Sequence, residues 1–316
     1  MIEIRALPPT QRQEAFCYLV ANRHVRADFA LQPLAPHQIR SYNPPAGQPF
    51  ILQPEPATPD APIYDEPGWI GEQWRTTTLM TVPAGYWLHI AAVGKFFIAR
   101  DGSGIGVWPQ EALTHAWVTE AVLGPALSLA LALQGVFCLH ASAVAISGQV
   151  VAFVGESGWG KSTLAAFLHG DNWQFVADDV LPLEVGEEGT TCLPNFPQLK
   201  LSAAQQWPLA SPQRLPLTAV YLLTTPTVQN SKVEIQPLSP LEATLALVRH
   251  TVATKLFDKQ LLTQHLAFCS GIARHVPVKR LAYPRVYARL PEVAMAVYTD
   301  NFPNKNRDST LLKHLI

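Results

Sequence analysis

Two groups of residues in the middle of the chain could do chemistry together. The first, Gly155-Glu156-Ser157-Gly158-Trp159-Gly160-Lys161-Ser162, fits the pattern G-x-x-x-x-G-K-[ST]. An apolar run, Val150–Val154, leads into it, and a helix is expected to start near Lys161. The physics of phosphate binding asks for this arrangement. Glycines at 155, 158 and 160 allow tight backbone turns, so that N–H groups aim inward at phosphate oxygens. The helix N-terminus adds the positive end of its dipole. Lys161 would neutralise the β- and γ-phosphates, and the Ser162 hydroxyl would join a Mg²⁺ shell. The nucleotide-binding candidates are Gly155, Glu156, Ser157, Gly158, Trp159, Gly160, Lys161, Ser162 and Thr163. Trp159 stands where a small or aliphatic residue is expected, and its ring is expected to wall the acceptor or nucleotide side.

The second group is Asp178-Asp179, at the end of the apolar strand Phe175-Val176-Ala177 and 16 residues after Ser162. That crossover has room for one short helix, a turn at Gly170-Asp171-Asn172 and a strand. So short a path argues against motors, transporters and switches, which place their metal-side aspartate further along the chain. There is no L-S-G-G-Q segment, and Asn304-Lys305-Asn306-Arg307-Asp308 is one residue too long for N-K-x-D. Paired aspartates suit phosphoryl transfer to a hydroxyl: one holds Mg²⁺ and the other accepts the acceptor's proton. Neighbours on a strand face opposite sides, but at a strand end the chain can turn and bring both to one site.

The stretch from Leu139 to Leu183, "LHASAVAISGQVVAFVGESGWGKSTLAAFLHGDNWQFVADDVLPL", resembles the catalytic core of bacterial HPr kinase/phosphorylase. It is more similar still to the HPr-kinase-related enzymes of peptide-modification systems, including lasso-peptide kinases. A weaker likeness continues through Leu193–Leu201, Leu247–Thr251 and Val276–Arg285. The resemblance implies an ATP- and Mg²⁺-dependent kinase. It makes Asp178 the general base on the acceptor hydroxyl, with Asp179 and Ser162 holding Mg²⁺; the two aspartate roles can be exchanged. It places His140 beside the aspartates, orienting the γ-phosphate or the acceptor. Arg249 is the cation expected to steady transferred charge, with Lys200 and Lys255 as weaker candidates. The E-I-R-G-L-G segment of the phosphorylase is missing, and the corresponding region reads "LPNFPQLKLS". The implied acceptor is therefore a serine or threonine hydroxyl on a peptide or small protein rather than HPr. The resemblance also implies a homo-oligomer. Two other readings are a kinase of a small hydroxy compound and a nucleotide-sensing module that binds without transfer.

The elements that must position these residues are legible in outline. Trp117–Leu133 is expected to be a buried helix, and Phe137–Ile146 and Gln149–Val154 strands joined by Ser147-Gly148. Helix Lys161–His169 and strands Trp173–Ala177 and Ala219–Leu223 follow. Ser239-Pro240-Leu241-Glu242 has the form of a capping box opening a helix to about His250, and another helix covers Lys259–Ala273. The expected fold class is α/β: a P-loop kinase domain of HPr-kinase-like fold at 116–316. Before it, residues 1–115 read as an antiparallel-sheet-rich α+β domain with a docking or oligomerisation role. Within it, residues 1–32 lean helical. Pro33–Pro67 holds ten of the 28 prolines and reads as extended loop. Short strands then flank turns at Pro83-Ala84-Gly85 and Asp101-Gly102-Ser103-Gly104.

Bulk composition narrows the surroundings. With 48% apolar and 15% charged residues the chain builds a core rather than a disordered ensemble. A net charge of −1 supplies no basic field for nucleic acid or an anionic membrane. Cys17, Cys138, Cys192 and Cys269 are widely spaced, which fits neither a zinc site nor a disulfide framework, and the N-terminus lacks the apolar stretch of a signal peptide. A cytoplasmic setting is expected. Ala121–Leu139 is uncharged and long enough for a bilayer, but Gly124, Pro125, Gln134 and Gly135 interrupt it. It reads as a buried helix, a turn and a core strand.

Overall fold

Ile2, Ile4 and Ala6 are buried on one face of a strand, so the chain opens in a sheet and not in a helix. The computed structural model describes residues 1–7, 15–39, 62–70, 73–169, 173–193, 196, 213–224 and 232–303. These fall into two units, the first formed by Met1–Phe137 with Val252–Thr263 and the second by the other described residues.

The first unit is built on an eight-stranded sheet. Its strands are β1 (Ile2–Ala6), β2 (Phe16–Val20), β3 (Arg23–Ala27), β4 (Tyr64–Ile70), β5 (Gln73–Val82), β6 (Gly85–Ile90), β7 (Gly94–Ala99) and β8 (Gly104–Pro109). They lie in the order β2-β3-β1-β8-β7-β6-β5-β4. Strands β4 to β8 form an antiparallel meander, and β1 inserts parallel to both β3 and β8. The expected helical start is therefore corrected to three strands. The β2–β3 turn carries Ala21 and Asn22 at φ 50° and 56°, a left-handed pair made without glycine. A helix follows as α1 (Ala116–Ala121), a π-helical turn at Val122–Ala126 and α2 (Leu127–Leu133). Pro125 sits in that turn; lacking an N–H, it breaks the regular ladder there. This helix belongs to the first unit, where Ala130 backs onto the β7–β8 turn: a Cβ added to Gly102 would lie 2.2 Å from the Ala130 carbonyl oxygen. The division between units thus falls after Phe137 rather than after residue 115. Ala116–Leu133 is long and apolar enough to cross a bilayer, the one such helix among the described residues, and 67% of it is buried.

The second unit carries the residues of chemical interest. Its strands are β9 (Phe137–Leu139, beginning at the unit boundary), β10 (Ala141–Ile146), β11 (Gln149–Val154), β12 (Gln174–Ala177), β13 (Leu181–Gly186), β14 (Gly189–Cys192), β15 (Leu215–Leu223), β16 (Glu234–Pro237) and β17 (Val278–Ala282). Its helices are α3 (Lys161–His169), α4 (Pro240–Arg249), α5 (Lys259–His275, which belongs to this unit from Gln264 on) and α6 (Leu290–Asn301). The sheet runs β12-β10-β11-β15-β14-β13-β9, with β17 on β15 and β16 on β17. The single strand expected over 137–146 is broken at His140. Residues 150–154 of β11 are all buried, as a strand covered on both faces must be, and β11 pairs parallel with β15 and antiparallel with β10. Ser147 and Gly148 join β10 to β11 at φ 52° and 76°, the left-handed pair of a two-residue hairpin. Leu164, Ala165 and Leu168 of α3 bury against Val151, Phe153, Phe175 and Tyr221. Ser239 and Glu242 close the capping box of α4 as expected. The β13–β14 hairpin, β16, β17 and α6 were not expected. Among the described residues no cysteine forms a disulfide. The turn at 170–172, most of 193–201 and Asn304–Asp308 lie outside the described residues.

His265 on α5 is 1% exposed. One ring nitrogen lies 2.9 Å from Thr251 Oγ1 and 3.2 Å from Cys269 Sγ. Burial pulls its pKa from 6.5 down to about 4. The folded chain therefore keeps it neutral while the unfolded chain protonates it below the ordinary value, so acidification favours unfolding. Between pH 7 and pH 5 this residue is expected to remove about 2 kcal/mol of stability. Urea titrations at the two pH values check this, and His265→Gln should flatten the difference; an unchanged pH slope in the variant would contradict it.

Candidate active site

The Gly155–Ser162 loop leaves the buried end of β11 and enters α3 directly. Gly155, Gly158 and Gly160 adopt φ 152°, 77° and 87°, and the last two are left-handed values that a side chain would strain. Lys161 is buried, and its Nζ donates to the carbonyls of Gly155 (2.9 Å) and Glu156 (3.2 Å). The lysine thus folds back over the loop, with its charge against backbone oxygens.

Strand β12 delivers the aspartates. Ala177 pairs with Ala143 of β10, so Asp178 emerges opposite Ser142. Asp178 Oδ1 accepts from Ser142 Oγ at 2.5 Å and from Ser162 Oγ at 2.9 Å. One buried carboxylate oxygen therefore ties β12 to β10 and to the first turn of α3. Asp179 stands at φ 63° in a three-residue turn closed by Val180 N–H to the Asp178 carbonyl at 2.8 Å. This is an uncommon conformation for a non-glycine residue, and it rotates Asp179 off the strand's alternation. Asp178 is 8% exposed, while Asp179 is half-buried. Burial raises the Asp178 pKa above the ordinary carboxylate value and the Asp179 charge adds to the rise, against the lowering effect of the two serine hydroxyls. The hydroxyl of Ser162 meets Asp178, although the resemblance had grouped it with Asp179.

Glu156 brings in a second set of residues. Its carboxylate pairs with Arg249, at the end of α4, at 2.8 Å. Next to Arg249, His250 is buried. Its pKa is lowered by burial, an effect opposed by the Glu156 charge and reinforced by Arg249 and Lys161, so its ring lies in the field of the loop. The His250 carbonyl accepts from His140 N–H at 2.7 Å, and Leu139 bridges Thr251. Ala141 pairs with Val154, so His140 stands beside the start of the loop. The structure therefore gathers His140, Glu156, Lys161, Arg249 and His250 around one loop. Lys255 belongs to the first unit, where it lies 3.5 Å from Glu66. Lys200 lies outside the described residues.

Three residues at this site escaped the sequence reading. Ser142 sits in an apolar strand and reads as filler. His250 follows Arg249 in "LVRHT", and that adjacency is the signal that finds it. Arg285, in the flagged stretch ending at 285, donates to the Gly158 carbonyl (2.7 Å) and to the Trp159 carbonyl. The structure places the Trp159 ring on the core side of the loop. It is partly buried against the core cluster that includes Leu164 and Tyr283, and a Cβ added to Gly155 would lie 3.1 Å from its Cε3. On that side it underpins the loop.

No family model matches the chain, and no curated protein matches its sequence. Among solved structures the chain is similar to the Hpr(Ser) kinase/phosphatase from Coxiella burnetii, with 13% identity and a TM-score of 0.33, over 54% of this chain and 99% of that one. At that TM-score the likeness carries no argument about chemistry. What the chain itself presents is a mixed α/β architecture with a strand–loop–helix unit facing two strand-end aspartates.

Since the Trp159 ring supports the loop from the core side, Trp159→Val is expected to lower the unfolding free energy by about 2 kcal/mol. Chemical denaturation checks this, and unchanged stability would return the ring to solvent.

Proposed function

We propose that the chain is an ATP- and Mg²⁺-dependent kinase that transfers the γ-phosphoryl group to a serine or threonine hydroxyl of a peptide or small protein. The observation that carries this reading is the 2.9 Å hydrogen bond from Ser162 to Asp178. It joins a loop of the G-x-x-x-x-G-K-S pattern to the first of two strand-end aspartates. A hydroxyl and a carboxylate oxygen in contact are the hard donors that Mg²⁺ takes. Among the described residues no three His, Cys, Asp or Glu side chains cluster as a metal cage. That suits an ion which draws its remaining ligands from phosphates and water.

The geometry supports exchanging the two aspartate roles. Asp178 and Ser162 would hold Mg²⁺, which supplies charge neutralisation across the phosphate oxygens when bound. Asp179, half-buried and turned off the strand, would accept the acceptor's proton. In the transfer the acceptor oxygen would bond to the γ-phosphorus as the bond from that phosphorus to the bridging oxygen breaks, and the bridging oxygen would leave with the electron pair as part of ADP. The hydroxyl proton goes to Asp179. Lys161 and Arg249 steady the charge on the transferred group, and His140 orients it or the acceptor. A peptide acceptor is favoured by α4, where Leu241 and Leu245, one turn apart and 69% and 56% exposed, lead along the helix toward Arg249.

The test is transfer from labelled ATP with Mg²⁺ to candidate peptides and to free serine. Asp179→Asn is expected to slow transfer by about 10³-fold with Mg²⁺-ATP affinity nearly kept. Asp178→Asn is expected to weaken Mg²⁺-dependent ATP binding. The reverse pattern would restore Asp178 as base. Binding without transfer to any acceptor would favour a sensing module, and preference for free serine a small-molecule kinase.

A further inference from the structure

The Gly155–Ser162 loop is gripped from outside by a single side chain 126 residues away. The Arg285 guanidinium donates through Nη1 to the Gly158 carbonyl at 2.7 Å and through Nη2 to the Trp159 carbonyl. Two consecutive carbonyls therefore point to the same partner. In a trans peptide the C=O and the following N–H point in opposite directions. Holding the Gly158 carbonyl outward turns Trp159 N–H inward, where it donates to the Glu156 carbonyl at 3.2 Å. Lys161 Nζ meets that same Glu156 oxygen, at 3.2 Å, so this inner side is the lysine's side. Holding the Trp159 carbonyl outward turns Gly160 N–H to the lysine's side as well. The left-handed φ values of Gly158 and Gly160 allow this local path, and a Cβ on Gly160 would lie 3.4 Å from the Tyr283 hydroxyl, on the segment that carries Arg285. Among the described residues no carboxylate pairs with Arg285; both bonds it makes here go to the loop's backbone.

We propose that Arg285 is a positioning residue for nucleotide phosphates, acting through the Gly158 and Trp159 carbonyls to present the Gly160 amide beside Lys161. This rests on the nucleotide-binding reading above. A planar fork can hold two adjacent carbonyls at once, whereas an ammonium cannot. The role thus depends on guanidinium shape rather than on charge alone.

Wild type, Lys161→Met, Arg285→Met and Arg285→Lys are titrated with Mg²⁺-ATP, Mg²⁺-ADP and pyrophosphate, and kcat is measured at saturating ATP. Both Arg285 variants are expected to weaken all three ligands alike, by about tenfold to a hundredfold, with kcat at saturation within about threefold of wild type. Thermal midpoints without ligand should stay within a few degrees of wild type. Unchanged ADP affinity in Arg285→Met, or full recovery in Arg285→Lys, would overturn the proposal. So would a fall in kcat with unchanged ADP affinity, which marks direct contact with the transferred group, or a pyrophosphate affinity that stays at the wild-type value. Arg285→Lys keeps the stem and the charge and so carries the test if Arg285→Met does not fold. Failure of the underlying reading looks different: the wild type would then bind none of the three ligands, or Lys161→Met would bind them as well as wild type.

Discussion

The second unit depends on one buried carboxylate oxygen. Asp178 Oδ1 accepts hydrogen bonds from Ser142 and Ser162, on two different elements. A carboxylate taken out of water is costly unless hydrogen-bonded, so these two hydroxyls are what make its position tenable. They also fix distances. Ser142 lies on β10, Ser162 in the first turn of α3 and Asp178 at the end of β12, so one atom sets the loop against the strand ends. The pairing of Ala143 with Ala177 and of Ala141 with Val154 puts Ser142, Asp178 and the start of the loop at the same end of their strands.

Around that anchor the loop is held by cations on backbone oxygens. Lys161 covers the Gly155 and Glu156 carbonyls, and Arg285 takes those of Gly158 and Trp159. Carbonyls drawn toward cations turn the following amides to the opposite side: that of Trp159 meets the Glu156 carbonyl, and that of Gly160 is turned the same way, as an anion cradle requires. The Glu156–Arg249 pair is exposed and adds little stability. Its consequence is to bring a mobile-length cationic side chain to the loop. Trp159 ties the glycine-rich segment to the core cluster.

The loop, helix Lys161–His169, the Ser147-Gly148 hairpin and the α4 capping box were legible because each is a local pattern whose chemistry lies within a few residues. Other features had weaker signals. Ile2, Ile4 and Ala6 alternate as a strand should, but the β2–β3 turn is made by Ala21-Asn22 and carries no glycine, so the opening hairpin has no strong turn signal in the sequence. Texture changes near residue 116, whereas the compact units divide after Phe137, because the helix from Ala116 packs where Gly102 and Ala130 meet. The aspartate pair was visible as a pair; which member meets Ser162 depends on the positive φ of Asp179 and on strand register, neither of which the one-dimensional pattern carries. Arg285 and Ser142 act through contacts made only after the sheet has formed.

The central claim is that Ser162 and Asp178 form the metal side of a nucleotide site. Calorimetric titration of ATP into wild type and Ser162→Ala, each with and without Mg²⁺, tests it most directly. The account predicts that Mg²⁺ tightens binding to wild type by about tenfold or more and that the variant loses most of this gain. Equal affinity with and without Mg²⁺ in wild type, or a full Mg²⁺ gain in Ser162→Ala, would contradict it.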